Sequence, residues 1–210
     1  MNFSELQREV AAMVMDQAAN TLLAIPDTIN EAVQQIAESV LLPSLKTLFT
    51  VTTSTSACYV SMPSGFSGKL RYVGDSDGEY TILDGGLEEL LRKHPDTTES
   101  GDIEHLASEG TVLYYLPIPS TAVSLTCIGY NVPATLINDT DTPSDIPEYT
   151  HREAICFLAA SILYASIEDG LEQDKVNTKM FAGLAENGIN KIRAWSYRRR
   201  TGVGTSCWSN

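Results

Sequence analysis

The apolar residues of this chain change their period twice, from helical to strand-like and back, and that switch constrains the fold more than any other feature. Phe3, Leu6, Val10 and Met13 recur at steps of three and four, the spacing that lines one face of an α helix. Ser4 precedes the run, and Glu5 and Glu9 put negative charge into its early turns, where the helix dipole favours it. The spacing predicts an amphipathic helix over residues 4–18. Pro26 ends the link that follows, Asp27 or Thr28 can cap, and Ile29, Val33, Ile36 and Val40 repeat the pattern as far as Pro43. A second helix then completes a helical hairpin.

From residue 45 the pattern is that of strands. Residues 45–62 are rich in Thr, Val, Phe and Tyr without a helical face. Residues 70–73 and 80–83 read as two strands around the polar turn Gly74-Asp75-Ser76-Asp77-Gly78, since branched and aromatic residues favour the pleated surface. Residues 87–93 suit two helical turns before His94-Pro95, and residues 96–101 form a polar loop. Strands resume over residues 111–116 and 122–130, separated by Pro117-Ile118-Pro119, whose missing N–H groups interrupt a ladder. The pattern supports about five or six short strands, ended by an Asp-, Thr- and Pro-rich loop over residues 137–147.

The helical period then returns. Residues 148–167 carry Ile155, Leu158, Ile162 and Ala165 on one face, and residues 173–197 carry Phe181, Leu184, Gly188, Ile192 and Trp195. The resulting expectation is an α+β protein. Its N- and C-terminal helices (residues 1–44 and 146–197) form a helical bundle, a central β-rich insertion (residues 45–145) forms a small sheet or barrel, and residues 198–210 extend as a C-terminal tail.

A net charge of −13 conceals an asymmetry. Five of the 14 basic residues (Lys191, Arg193, Arg198, Arg199, Arg200) follow Ile189 with no acidic residue among them, so residues 1–188 hold nine basic against 27 acidic residues. An acidic body repels duplex phosphates, which argues against general nucleic-acid binding by the folded part. The basic end also holds Trp195, Tyr197 and Trp208, and aromatics beside arginines are the residue types enriched at interface hot spots. Trp195, Tyr197, Arg198, Arg199, Arg200 and Trp208 are therefore the candidate partner-binding residues. A frayed basic terminus and a phosphate-binding arm are the competing readings.

The residues offer no evident catalytic, cofactor or metal site. The four cysteines (Cys58, Cys127, Cys156, Cys207) form no CxxC pair, which argues against a zinc cluster or a disulfide framework. Three read as small buried hydrophobes and Cys207 as an exposed thiol. Asp75-Ser76-Asp77-Gly78-Glu79 lacks the later Gly and Glu of a calcium loop and reads as a strand-connecting turn. His151 and Cys156, five apart on one α helix, would stand about 140° apart around its axis, an awkward geometry for a nucleophile and its base. Glu88 and Glu89 are adjacent and diverge, and Gly202-Val203-Gly204 lacks the lysine of a phosphate loop. No secretory leader and no apolar run of membrane-spanning length is evident, so a cytoplasmic product is expected.

Several motifs in order carry a resemblance: Asn2-Phe3-Ser4-Glu5-Leu6 and Ile29-Asn30-Glu31-Ala32 in the first helices, Leu113-Tyr114-Tyr115-Leu116-Pro117-Ile118-Pro119 in the strands, and Ile146-Pro147-Glu148-Tyr149-Thr150-His151 opening an Ala-rich helix. Over residues 2–195 the chain resembles tailed-phage adaptor proteins, also called head-to-tail connectors. The resemblance implies a non-enzymatic virion protein at the head–tail junction, assembled in the host cytoplasm. It implies a homo-oligomeric ring, dodecameric like the portal above it, with a surface for tail nozzle or fibre proteins. The C-terminal segment would dock on the portal, contact with packaged DNA would be incidental, and no membrane is involved. The alternatives are another tail-completion or fibre-attachment protein, which the sequence does not separate from an adaptor, and a small hydrolase using His151, His105 or Cys156.

Overall fold

The computed structural model describes residues 1–14, 18–168 and 175–201, with residues 200 and 201 described by their backbone only. The chain divides into two compact units, Met1–Ser44 with Pro133–Asn210, and Leu45–Val132.

In the first unit, α1 (Phe3–Val14) buries Phe3, Leu6, Val10 and Val14. It starts earlier than Ser4 predicts because Asn2 caps it: the Asn2 side chain accepts from the Glu5 amide at 2.9 Å while the Glu5 carboxylate accepts from the Asn2 amide at 2.8 Å. This reciprocal pair satisfies two amides that the first turn leaves without helical partners. Helix α2 (Ala19–Ser39) buries Ile25, Thr28, Ile29, Ala32, Val33 and Ile36 and contains Pro26. The expected break at Pro26 is thus corrected. The proline costs the helix one hydrogen bond, to a carbonyl at the exposed Leu22, and the continuous buried row outweighs that loss.

The second long helical stretch begins irregularly, with a 3-10 turn Glu148–Thr150 and a π turn His151–Cys156, before α4 (Phe157–Ile167). The final helix, α5 (Val176–Thr201), runs past the expected end at Tyr197, so residues 198–201 are helical rather than extended.

In the second unit, β1 (Lys46–Thr52), β3 (Phe66–Gly74) and β7 (Ser124–Asn131) form an antiparallel sheet ordered β1-β7-β3. A separate sheet, ordered β2-β6-β5-β4, comprises β2 (Tyr59–Ser61), β6 (Val112–Leu116), β5 (His105–Glu109) and β4 (Thr81–Ile82), with β4 parallel to β5. Val51, Phe66, Val73, Leu125 and Cys127 of the first sheet share one core with Leu106, Leu113 and Tyr115 of the second. The other face of the four-stranded sheet, through Ala107 and Leu116, packs on Leu90 of α3 (Gly86–Lys93). Leu106 and Ala107 therefore point to opposite cores, as the two-residue period of a strand requires. Strand β5 escapes the sequence pattern because His, Ala, Ser and Glu have little strand preference.

The expected architecture, terminal helices in a bundle around one central sheet or barrel, is not the one the chain adopts. Five α helices and two sheets are present among the described residues, and α3, the two helical turns expected over residues 87–93, lies in the chain between strands. The physical reason is pairing. Around the Asp75 turn the chain closes only a short bridge, Gly74 to Glu79, after which β4 leaves β3 to pair with β5. Such long-range partners leave no mark on local periodicity.

Candidate functional site

Helix α5 positions most of the candidate partner-binding residues. Its start is held by Glu168, whose carboxylate accepts from the Asn177 and Thr178 amides, both at 3.1 Å, and from the Thr178 hydroxyl at 2.7 Å. Phe181, Ala185, Gly188, Ile189, Ile192 and Ser196 form its buried face. Leu184 and Trp195, expected there, are exposed and half-buried instead. Gly188 explains the offset: a Cβ on it would lie 2.5 Å from the Glu153 carbonyl carbon. At that point the helix approaches the π turn so closely that only a glycine fits inward. Near the far end the Ser196 hydroxyl donates to the Leu41 carbonyl at 2.5 Å.

Beyond that anchor the last turn is exposed. The Arg199 guanidinium lies 5.1 Å from the centre of the half-buried Trp195 ring, within cation–π range and at the i, i+4 spacing that puts both on one face. Arg198 donates to the Ala194 carbonyl at 3.3 Å, and Tyr197 is exposed. Arg198 and Arg199 also complement the negative end of the helix dipole. The structure thus brings Trp195 and Arg199 into contact and sets Tyr197 and Arg198 beside them in the same turn. The Arg200 side chain, Cys207 and Trp208 lie outside the described residues.

Of the residues of the hydrolase alternative, His151 and Cys156 have environments that disfavour nucleophilic chemistry. The π turn corrects the expected 140° separation of His151 and Cys156, since an i→i+5 turn sets residues five apart close to one another in azimuth. Burial, however, pushes the Cys156 thiol up to about 12, far from the thiolate a nucleophile needs. His151 is buried, bonded through Nε2 to the Ile146 carbonyl at 2.9 Å, and held below its ordinary pKa chiefly by that burial. Burial likewise raises Cys127 to about 11. Cys58 is half-buried rather than buried.

The Asp75 loop acts as the expected turn. Its carboxylate accepts from the Asp77 and Gly78 amides at 2.7 and 3.2 Å and from the Tyr80 hydroxyl, which together hold its pKa below the usual value, the Tyr80 bond foremost. One group escaped the sequence reading. Among the described residues, His94, Glu104 and His105 offer three metal-type donor atoms within 4.8 Å of one another. The ten intervening positions hide the pair of histidines from any short-motif search, although Glu104-His105 next to a second histidine in space is a ligand-like set.

The motifs behind the resemblance all have structural work. Asn30 grips the Leu136 backbone at both its N–H and its C=O, at 2.8 and 3.0 Å. The Tyr115 hydroxyl, on a fully buried ring, accepts from the Ser54 amide at 2.6 Å. The Thr150 hydroxyl donates to the Pro147 carbonyl at 2.7 Å. No helix among the described residues is long and apolar enough to cross a membrane. No curated protein matches the chain. The family model described as SU10 adaptor protein matches residues 1–206, a span that takes in both units, both sheets and all of α5. The chain belongs to the SU10 adaptor protein family, a family of phage head-to-tail adaptors.

Proposed function

We propose that this adaptor is a non-enzymatic virion protein that assembles as a dodecameric ring below the portal, docks on the portal through the C-terminal end of α5, and presents a surface to tail nozzle or fibre proteins. The observation that carries the docking is the exposed last turn of α5. Trp195 and Arg199 are already stacked and Tyr197 is exposed beside them, so less side-chain freedom is lost on binding than a disordered arm would lose. Arg200 and Trp208 continue the basic, aromatic composition in the sequence. Arginine and aromatic anchors suit a protein groove with acidic or carbonyl acceptors.

Ring formation needs a lateral face, and an exposed apolar row on α5 suits that role. Val176, Met180 and Leu184, four residues apart, are 63%, 49% and 39% exposed in a single row. The charge balance of residues 1–188 disfavours packaged DNA as the main partner.

The test is assembly of the full chain with its portal. Substituting Tyr197→Ala, Arg198→Glu and Arg199→Glu together should abolish co-sedimentation with the portal while leaving the circular dichroism spectrum unchanged. Equal portal binding by the substituted chain would remove the docking role from this turn.

A further inference from the structure

We propose that His94, Glu104 and His105 bind one zinc-type transition-metal ion, which clips the C-terminal end of α3 to the start of β5. All three residues belong to the Leu45–Val132 unit. His94 is the residue after α3: its amide bonds the Leu90 carbonyl, and at φ −124° and ψ 82° the chain leaves the helix there, with Pro95 preventing its return. The side chain turns inward and is 9% exposed. His105 opens β5 and is fixed by pairing with Thr81 of β4 and Leu116 of β6. Strand and helix end thus hold the two imidazoles together, their planes tilted by 54°, with His94 Nε2 3.0 Å from His105 Nδ1.

Two ring nitrogens at that distance either share one proton or offer both lone pairs to a cation. With metal–nitrogen bonds of about 2.0–2.1 Å, a 3.0 Å separation subtends an angle of about 90–95° at the ion, and widening it by about 0.4 Å gives the tetrahedral angle. The Glu104 carboxylate supplies the third donor, 3.8 Å from His94 Nε2. Being 62% exposed, it can move the few tenths of an ångström that coordination needs. Water completes the set.

Two surroundings favour the cation. Glu99 lies 3.8 Å from His94 Nδ1, beyond hydrogen-bond reach, and its negative charge favours a cation at the site. The carbonyl end of α3 points the negative pole of its dipole toward the site. One neighbour opposes it: the Lys93 ammonium is 3.4 Å from His105 Nε2 and repels a second positive charge. Two imidazoles with a carboxylate match the ligand preference of zinc better than the all-oxygen shells of calcium or magnesium.

The experiment uses the full chain, freed of metal by chelator and titrated with zinc chloride by calorimetry, with cobalt(II) absorption as a geometric readout. One ion per chain should bind, with a tetrahedral cobalt spectrum and a raised thermal midpoint. His105→Asn and Glu104→Gln, both outside the buried core, should each weaken zinc on the order of a hundredfold, and Glu99→Gln by less, with circular dichroism unchanged. Lys93→Gln should tighten it. No saturable uptake by the wild-type chain overturns the proposal, and so does an affinity unchanged in either ligand variant, since the zinc would then sit elsewhere.

Discussion

Glu168 shows how much one side chain can organise. It is buried, and its carboxylate accepts from N–H and O–H groups at the start of α5, so the ionised form is the one the fold wants. Its pKa is accordingly lowered from the ordinary 4.5, with the Thr178 hydroxyl bond as the largest cause. A carboxyl whose folded pKa is depressed contributes stability that is present above its unfolded value and lost as pH falls through the folded one. The wild-type chain should therefore lose urea resistance as pH drops below about 4.5. Glu168→Gln should be less stable than wild type at pH 7, and the difference should shrink on acidification. A gap between the two urea midpoints that is constant with pH would show that the ionised form has no special role.

At the scale of elements, close approach decides what faces inward. Helix α5 lies against the π turn at Gly188, and the neighbouring Lys191 ammonium is bonded to the Glu153 carboxylate on that same turn. An added methyl group would meet backbone atoms, Glu153 C at 2.5 Å and Ala154 N at 2.6 Å, which cannot rotate away. Gly188→Ala gains helix propensity but forces the elements apart, with an expected net loss of about 1–3 kcal/mol by chemical denaturation. Gly183→Ala, on the exposed side of the same helix where an added Cβ would meet nothing within 4 Å, should instead gain about 1 kcal/mol through propensity alone. The opposite signs separate packing from backbone preference.

For the whole molecule, membership in an adaptor family makes assembly the relevant property. The proposed ring of identical chains would need a face that is apolar enough to associate and ordered enough to repeat. The Val176, Met180 and Leu184 row meets both needs, because it lies on a helix whose opposite side is buried. Replacing Met180 and Leu184 together by Asp should leave circular dichroism unaltered and shift the sedimenting species from ring to monomer in the presence of portal. Rings that persist with both aspartates would place the lateral contact elsewhere.

The sequence by itself determined the order of structure types and the family. Period-three-and-four spacing located α1, α5 and most of α2, and the turn chemistry of Asp75 was legible from its side-chain acceptors. Those signals are local, arising within one or two turns of chain. Tertiary structure alone decided the rest. It carried α2 through Pro26, divided the strands into two sheets and set which residues of α5 turn inward. It also brought His94 and His105 together, eleven residues apart in sequence and 3.0 Å apart in space. In each case the deciding energy is a contact between residues distant along the chain, to which local spacing is blind.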